Sequence, residues 1–500
     1  MINKRIFNML GYVLLFLGVS MIFSAIWSYI DNSDDLTSIL NSSLITSIAG
    51  LFLIIITQLQ FLKIYPYITI KDNDKVDLSH KNGYTLVTLS WVMMTIFGSL
   101  PFYLYGGPFE NYIDAFFESI SGLTTTGATI LAFEDYSNIP RGLMFWRSFI
   151  QFIGGIGIIV FSIAILPLMG FGGVQLFRAE VAGPVADKLT PRVKQTATLL
   201  WTIYFGLIIM QTIVLMIEGL TFYDSITHSF TTIATGGFSS NPNSIDTYPS
   251  IVQYTFVIFM LLAASSFSLH YLAIRKGRVE YFKDLEFKVY IIICIIFTAV
   301  FFSDNYISEF FKSGKIEEGF RNSLFTTVSL LTTTGFSTSD FQEWGYTSQT
   351  MVFVLLFIGG CAGSTTGAIK IIRTIVVFKF LIRELKKLLH PKGVFNIKIG
   401  SKKIPEEVVS NTLGFYLFYI FIFVFSAFIF ACLGLDFTSS LSVSASAIGN
   451  IGPGLGEIGP SQNWQNIGTP AKLLASFLML LGRLEIFTVM LIFSGGFSKK

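Results

Sequence analysis

The stretch TTTGA at residues 124–128 is the first of four glycine motifs that decide the fold of this chain. The other three are IATGGF at 233–238, TTTGFS at 332–337 and GNIGP at 449–453. Aligned on Gly127, Gly236, Gly335 and Gly452, the motifs follow one another at intervals of 109, 99 and 117 residues. Repetition at such similar intervals predicts four copies of one structural unit.

The composition indicates a chain that is solvated by lipid. Of its 500 residues, 52% are hydrophobic and 13% are charged, whereas soluble domains carry roughly 25% charged residues. Ten apolar stretches approach the length of about 20 residues that a spanning helix needs. They cover residues 6–30, 42–65, 84–105, 142–169, 197–219, 250–273, 286–303, 350–380, 409–433 and 470–494. The first is too long for a signal peptide and is interpreted as a retained helix.

Four shorter apolar segments lie between these spans, and each ends in a glycine motif. They cover residues 111–127, 222–236, 319–335 and 437–452. Each is too short or too polar to span, which favours a re-entrant segment. An acidic residue that suits the first turn of a short helix precedes each glycine by 12 to 17 positions. These acids are Asp114, Asp224, Glu318 and Asp436.

Short helices that enter the membrane in this way point their partially negative C-termini toward its centre, which favours a cation there. Irregular backbone at that depth is tolerated where it lines a cavity, and glycine adopts conformations that other residues disfavour. Four such loops around one axis would form a ring of carbonyl oxygens that can replace the hydration shell of a potassium ion. The predicted filter residues are Thr125, Thr126, Gly127, Ala234, Thr235, Gly236, Thr333, Thr334, Gly335, Asn450, Ile451 and Gly452.

The segment FIGGCAGSTTGAIKIIR at 357–373 interrupts an apolar span with several glycines. Each glycine costs about 1 kcal/mol relative to alanine inside a helix, so the segment predicts a break that lines a cavity or packs in protein. We interpret it as a gate on the cytoplasmic side of the filter. The candidate gate residues are Gly359, Gly360, Gly363, Ser364, Thr365, Thr366, Gly367 and Arg483. A close-packing glycine face is the alternative, and a phosphate loop fits poorly because no lysine follows the glycine.

Arg483 lies within the last predicted span. Arginine at the centre of a spanning helix costs about 2.5–3.5 kcal/mol on insertion scales, so it is expected to face the protein interior. Its expected partners are carbonyl groups of the 359–367 break or of a filter loop. An ion pair with Glu118 is the structural alternative, whereas Glu485 at i+2 should point elsewhere on the helix.

The basic residues predict the orientation. With the N-terminus inside, 27 of the 34 Lys and Arg residues fall on inner segments, as the positive-inside rule requires. The net charge of +3 gives no support for a nucleic-acid partner. The three cysteines and four histidines form neither a disulfide framework nor a zinc motif. No catalytic constellation or cofactor motif is visible, so an enzyme is not expected.

The chain resembles the superfamily of potassium transporters that includes TrkH and KtrB, and it is closer to the TrkH branch because of two extra N-terminal helices. The resemblance covers nearly the whole chain. It is carried by SGLTTTGAT at 121–129, GGIGIIVFSIAILP at 154–167, QLFRAE at 175–180, ATGGFSS at 234–240, GGCAGSTTGAIK at 359–370, GNIGPGLG at 449–456 and GRLEIFTV at 482–489.

The resemblance implies an all-α polytopic membrane protein with four pseudo-repeats of helix, re-entrant pore loop and helix around a central pore. The predicted divisions are two extra N-terminal helices (1–83) and pore repeats at 84–196, 197–285, 286–408 and 409–500. It further implies potassium as the transported ion and no cofactor. It implies a homodimer, a cytoplasmic nucleotide-binding regulatory subunit of the TrkA type, and a multi-pass position in a bacterial inner membrane with both termini cytoplasmic. All four key positions are glycine, which implies a preference for potassium over sodium.

One other transport mechanism stays open, that of an ion-coupled secondary transporter. Potassium could be taken up in strict symport with sodium or protons rather than through a channel-like pore. A transporter built from inverted repeats would place paired broken helices in opposite orientations, whereas the glycine motifs here all follow outgoing helices.

Overall fold

The computed structural model describes residues 4–59, 80–164, 193–307, 316–400 and 402–493. The QLFRAE motif at 175–180 and most of the predicted inner segments 63–83 and 170–196 lie outside these ranges. Within them the regular secondary structure is helical, apart from an antiparallel pair of two-residue strands, Lys398–Ile399 and Lys402–Lys403.

The first two helices form a closely packed hairpin. They are α1 (Lys4–Asp31) and α2 (Asp35–Leu59). A Cβ on Gly50 would lie 2.8 Å from the carbonyl oxygen of Gly11, and Ser43 Oγ donates to the carbonyl of Gly18 at 2.7 Å. Small residues therefore let the two backbones approach, as is typical of helix pairs in membranes.

The remaining helices form four units of the same order: a long helix, a short helix that ends at a glycine motif, and a returning helix. Unit one contains α3 (His80–Gly98), α4 (Leu100–Tyr105), α5 (Tyr112–Leu123) and α6 (Arg141–Ala164). Unit two contains α7 (Val193–Ile217), α8 (Phe222–Ile233), α9 (Ser250–Ala263), α10 (Phe267–Lys276) and α11 (Val279–Lys283). Unit three contains α12 (Leu285–Ile307), α13 (Ile316–Leu331), α14 (Tyr346–Leu355) and α15 (Ile371–Leu389). Unit four contains α16 (Glu406–Cys432), α17 (Phe437–Gly449), α18 (Thr469–Arg483) and α19 (Phe487–Phe493). Short helical turns occur at Gly107–Phe109, Phe133–Ser137, Phe341–Glu343 and Gly456–Ile458.

Six helices among the described residues are long and apolar enough to cross a membrane, and a seventh candidate is the bent pair α9–α10. The chain is therefore a polytopic all-α membrane protein. The boundaries between the units stay predictions.

Two predicted spans are broken where the sequence suggested continuity. The span at 250–273 bends by 95° between α9 and α10, at residues 264–266. The last span stops at Arg483 and resumes at Phe487, and Glu485 between them has a φ of +52°. A Cβ on Gly482 would lie 2.0 Å from the carbonyl oxygen of Ile448, so α18 ends against the tip of α17.

Three of the four short helices begin at a side-chain cap among the described residues, and two of these three caps are not the predicted acids. Asn111 and Thr221 accept hydrogen bonds from the first turns of α5 and α8, and the predicted acid Asp436 caps α17. Asp114 instead forms an ion pair with Lys472 at 2.5 Å. Acidic side chains still lie in or beside the first turn of every short helix, where they complement its dipole.

Candidate functional site

The four glycine motifs share one backbone conformation immediately after the short helices. A residue with left-handed φ comes first in each: Thr125 (+52°), Thr235 (+54°), Thr333 (+52°) and Asn450 (+53°). A glycine with positive φ follows two residues later: Gly127 (+80°), Gly237 (+76°), Gly335 (+82°) and Gly452 (+95°). The motifs are therefore equivalent in structure as well as in sequence.

This equivalence corrects the prediction for the second motif by one residue. Gly237, not Gly236, has the conformation of Gly127, and Ala234 lies one position before the equivalent triplet. The sequence held a signal for this alignment, because Phe238 follows Gly237 as Phe336 follows Gly335. The equivalent triplet in the second loop is thus residues 235–237.

The four glycines and the carbonyl groups preceding them form a closed ring, called here the glycine ring. A Cβ on Gly127 would lie 2.1 Å from Gly236 O, and one on Gly237 would lie 1.8 Å from Thr334 O. A Cβ on Gly335 would lie 2.1 Å from Ile451 O, and one on Gly452 would lie 2.6 Å from Thr126 O. Each loop therefore contacts the next in chain order, and the fourth contacts the first. No side chain fits at these four positions.

The second loop has a glycine where the first and third have threonine, and Gln151 of α6 explains the difference. A Cβ on Gly236 would lie 2.4 Å from Gln151 Cδ. Gln151 Nε2 donates to Gly236 O at 2.7 Å, and Phe238 N donates to Gln151 Oε1 at 3.2 Å. A buried side chain from a neighbouring helix thus supports this loop.

The fourth loop departs from the others through Asn450, which is suited to its left-handed conformation because asparagine tolerates it better than most residues. Asn450 Nδ2 donates to Thr126 Oγ1 at 3.0 Å and to the carbonyl of Met479 at 2.8 Å. Asn450 therefore joins the fourth loop to the first loop and to α18.

A cavity of about 280 Å³ lies on the side of the ring away from the short helices, and all four ring glycines line it. Its wall also includes Asp246 and Asp340. Burial raises the pKa of the Asp246 carboxyl, and the charge of Arg321 opposes that rise. Carboxylates in such a cavity attract cations.

A buried ion pair supports the ring from behind the first loop. Arg147 of α6 and Glu118 of α5 are 1% and 0% exposed, and Arg147 Nε lies 2.7 Å from Glu118 Oε1. Arg147 also donates to the carbonyl of Ser239 at 3.1 Å, while Ile130 N donates to Glu118 Oε2 at 3.0 Å. The pair therefore ties the exits of the first two loops together, and Glu118 is not the partner of Arg483.

The helix break predicted at 357–373 is present between α14 and α15, and residues 356–370 are called here the inner loop. It contacts the ring loops on the side opposite the cavity. Gly367 N donates to Thr333 Oγ1 at 2.8 Å, and Ala368 N donates to the carbonyl of Gly449 at 2.9 Å. A Cβ on Gly367 would lie 2.2 Å from Gly449 O, so the contact requires glycine.

The inner loop is also hydrogen-bonded to the break between α9 and α10. Cys361 N donates to the carbonyl of Ala264 at 2.9 Å, and Phe267 N donates to the carbonyl of Gly363 at 3.2 Å. A Cβ on Gly360 would lie 2.7 Å from Ala264 O. The glycines of the inner loop thus allow both close packing and the break in the helix. The two helix breaks also supply hydrogen-bond partners for each other's unpaired backbone groups.

Arg483 has the kind of partner that the sequence predicted. Arg483 Nη1 donates to the carbonyl of Thr365 in the inner loop at 2.6 Å, and Nη2 lies 3.5 Å from the carbonyl of Gly154. Arg483 is buried, with 3% of the residue exposed. Glu485 points elsewhere, as expected, and pairs with Arg373 at 2.5 Å.

Comparisons of sequence and of structure with known proteins agree on the family of this chain. The model of the TrkH family, described as cation transport proteins, matches residues 51–499. The Trk system potassium uptake protein TrkH of Vibrio parahaemolyticus is 40% identical over 433 residues, which cover 85% of this chain and 87% of that protein. TrkH of Escherichia coli K12 is 38% identical over 432 residues, with the same coverage.

A solved structure is similar over the full length. The crystal structure of the potassium transporter TrkH from Vibrio parahaemolyticus superposes with a TM-score of 0.87 at 33% identity, covering 100% of both chains. This chain therefore belongs to the TrkH family of cation transport proteins.

Proposed function

We propose that this protein mediates potassium uptake through a channel-like pore, with the glycine ring as its selectivity filter and the inner loop as its gate. The observation that carries the proposal is the closed ring of glycine-to-carbonyl contacts among the four loops. Relatives at 38–40% identity are named as potassium uptake proteins.

Dehydration of the ion is the step that the ring would perform. Thr126, Gly236, Thr334 and Ile451 immediately precede the four ring glycines, and the carbonyl oxygen of each approaches the glycine of a neighbouring loop. Such oxygens can substitute for water around potassium. The C-termini of α5, α8, α13 and α17 end at the ring and contribute partial negative charge. The loops differ in their supports, so we expect looser discrimination between alkali ions than in a fourfold symmetric filter.

The inner loop would close the pathway from the side opposite the cavity. It lies against Thr333 and Gly449, and Arg483 donates to its Thr365 carbonyl. A guanidinium beside a cation pathway also adds an electrostatic barrier. Opening requires that the loop leave the ring and that Arg483 lose this partner.

The setting of the protein is part of the same proposal. The distribution of basic residues supports cytoplasmic termini. Helix α15 carries exposed apolar and basic side chains, among them Leu385, Leu388 and Lys387. This surface is suited to a cytoplasmic regulatory subunit of the TrkA type, and we further propose that the protein works as a homodimer.

The experiment that tests the proposal is uptake of radioactive rubidium into proteoliposomes, with potassium and sodium as competitors. We expect potassium to compete more strongly than sodium, and uptake to proceed without a sodium or proton gradient. Uptake that depends strictly on either gradient would establish the symport mechanism instead. If substitution of Gly335 by aspartate changed neither the flux nor the ion preference, the assignment of the glycine ring as the filter would be refuted.

A further inference from the structure

Glu286 is a buried carboxylate that the mechanism above does not use. It is the second residue of α12 and is 2% exposed. Its Oε1 accepts hydrogen bonds from Ala362 N at 2.8 Å and from Ile372 N at 3.0 Å. These two amides belong to the inner loop and to the first turn of α15.

An acid at the start of a helix ordinarily caps its own helix, but the two amides that donate to Glu286 come from much later in the chain. They lie 76 and 86 residues further on. A buried carboxylate is costly unless hydrogen bonds compensate it, and hydrogen bonds to a charged acceptor are roughly twice as strong as neutral ones. The buried carboxylate of Glu286 is therefore stabilised by the inner loop and the start of α15 rather than by its own helix.

The two donors enclose the part of the loop that contacts the ring and Arg483. Thr365, whose carbonyl accepts from Arg483, and Gly367, whose amide donates to Thr333, both lie between Ala362 and Ile372. One carboxylate oxygen thus joins the two ends of this segment. Without it, the segment would lose its link to the start of α12.

We propose that Glu286 is a positioning residue whose carboxylate clasps the two ends of the inner loop and holds the loop against the glycine ring. The inference rests on the proposed role of the inner loop as a gate. It assigns to α12 a direct part in the closed state, in addition to the part that Arg483 takes from α18.

The test uses three variants of the full-length protein. Glu286→Met removes the acceptor at similar length, and Glu286→Gln keeps one acceptor oxygen but removes the charge. Glu280→Gln is the matched control, because Glu280 pairs with Lys283 at 2.7 Å on the neighbouring helix α11. Rubidium flux into proteoliposomes is the first readout.

The second readout reports on the loop without transport. Cys361 lies in the inner loop and is 1% exposed, and the other two cysteines, Cys294 and Cys432, can be replaced by serine in all variants. The rate at which a small thiol reagent modifies Cys361 then measures loop opening. We expect Glu286→Met to raise both the flux and this rate by about tenfold or more, as loss of charged hydrogen bonds predicts. Glu286→Gln should have a smaller effect, and Glu280→Gln none.

The possible outcomes separate the two proposals. Flux and Cys361 modification at the level of the control in Glu286→Met would overturn the clasp. Faster modification of Cys361 with unchanged flux would support the clasp and refute the gate. If Glu286→Met does not fold, Glu286→Asp provides the same test. Aspartate keeps the charge, but its side chain is one methylene shorter, so its carboxylate no longer reaches both amides.

Discussion

The glycine ring is made four times from the same local structure, whereas the inner loop occurs once in the part of the chain that the structure describes. Every ring loop has a left-handed residue and then a positive-φ glycine after a short helix. The inner loop instead depends on side chains from distant elements, among them Glu286, Thr333 and Arg483. The ring is thus fixed by backbone conformation, and the inner loop is held by contacts that single substitutions can remove.

This difference predicts opposite responses to mutation. Substitution in the ring brings a side chain into a neighbouring backbone, so it should abolish passage of ions. Substitution of a side chain that holds the inner loop removes an attachment, so it should increase flux.

The largest effect is expected for Gly237→Ala. Its Cβ would lie 1.8 Å from Thr334 O, and the left-handed conformation alone costs a non-glycine residue about 1–2 kcal/mol. Rubidium flux should fall by more than about tenfold. Gly414→Ala is the control, since nothing lies within 4 Å of its Cβ position in α16. Equal flux in the two variants would show that the second loop does not form part of the ring.

Neutralising Glu118 should lower the stability of the protein rather than open the gate. Glu118→Gln leaves the guanidinium of Arg147, which is 1% exposed, without its counter-charge. Breaking a buried pair typically costs about 3–5 kcal/mol. Arg141→Gln breaks the exposed pair with Asp31 and should cost about 1 kcal/mol or less. Thermal unfolding in detergent measures both, and equal shifts would contradict a structural role for the buried pair.

Arg483→Gln should raise flux by about tenfold, because a hydrogen bond to a charged group contributes about 1.5–3 kcal/mol. The bond lost is the one to Thr365 O at 2.6 Å. Ion preference should stay close to that of the unchanged protein, since the ring is not altered. Single-channel recording or rubidium uptake measures this, and reduced flux with a changed ion preference would assign Arg483 to the filter instead.

The smallest effect separates the two glycines of the second loop. Gly236→Ala should reduce flux because its Cβ would meet Gln151, and adding Gln151→Ala should restore part of the loss. The same second substitution should not rescue Gly237→Ala, whose obstruction is backbone. Rescue of both variants, or of neither, would contradict the corrected alignment.

The repeated parts of the molecule could be predicted from the sequence because their signals are local. The four short helices lie at the predicted segments, and three of the four ring glycines were identified. The second loop was misaligned because IATGGF offers two adjacent glycines and only the following phenylalanine distinguishes them. The need for glycine at position 237 comes from its close approach to Thr334 O of the third loop. Such a contact between distant segments cannot be identified from the local sequence.

The features outside the repeated loops were harder to predict from the sequence, because they depend on contacts between residues that are far apart in the chain. The bend at residues 264–266 was not predicted because LLAASSFSL contains neither glycine nor proline. The structure shows that Cys361 N and Gly363 O bond to its open backbone groups. Glu286 was likewise not identified, since its partners lie far away in the chain. Arg483 was identifiable because a charge within an apolar span must find a partner.

The proposed selectivity filter requires that carbonyl oxygens of the four loops together bind a dehydrated potassium ion. Anomalous diffraction from crystals grown in rubidium tests it most directly. We expect anomalous density on the ring axis, surrounded by the carbonyl oxygens of Thr126, Gly236, Thr334 and Ile451, and we expect it to be lost when sodium replaces rubidium. Density confined to positions away from these oxygens would contradict a filter made of these carbonyl groups.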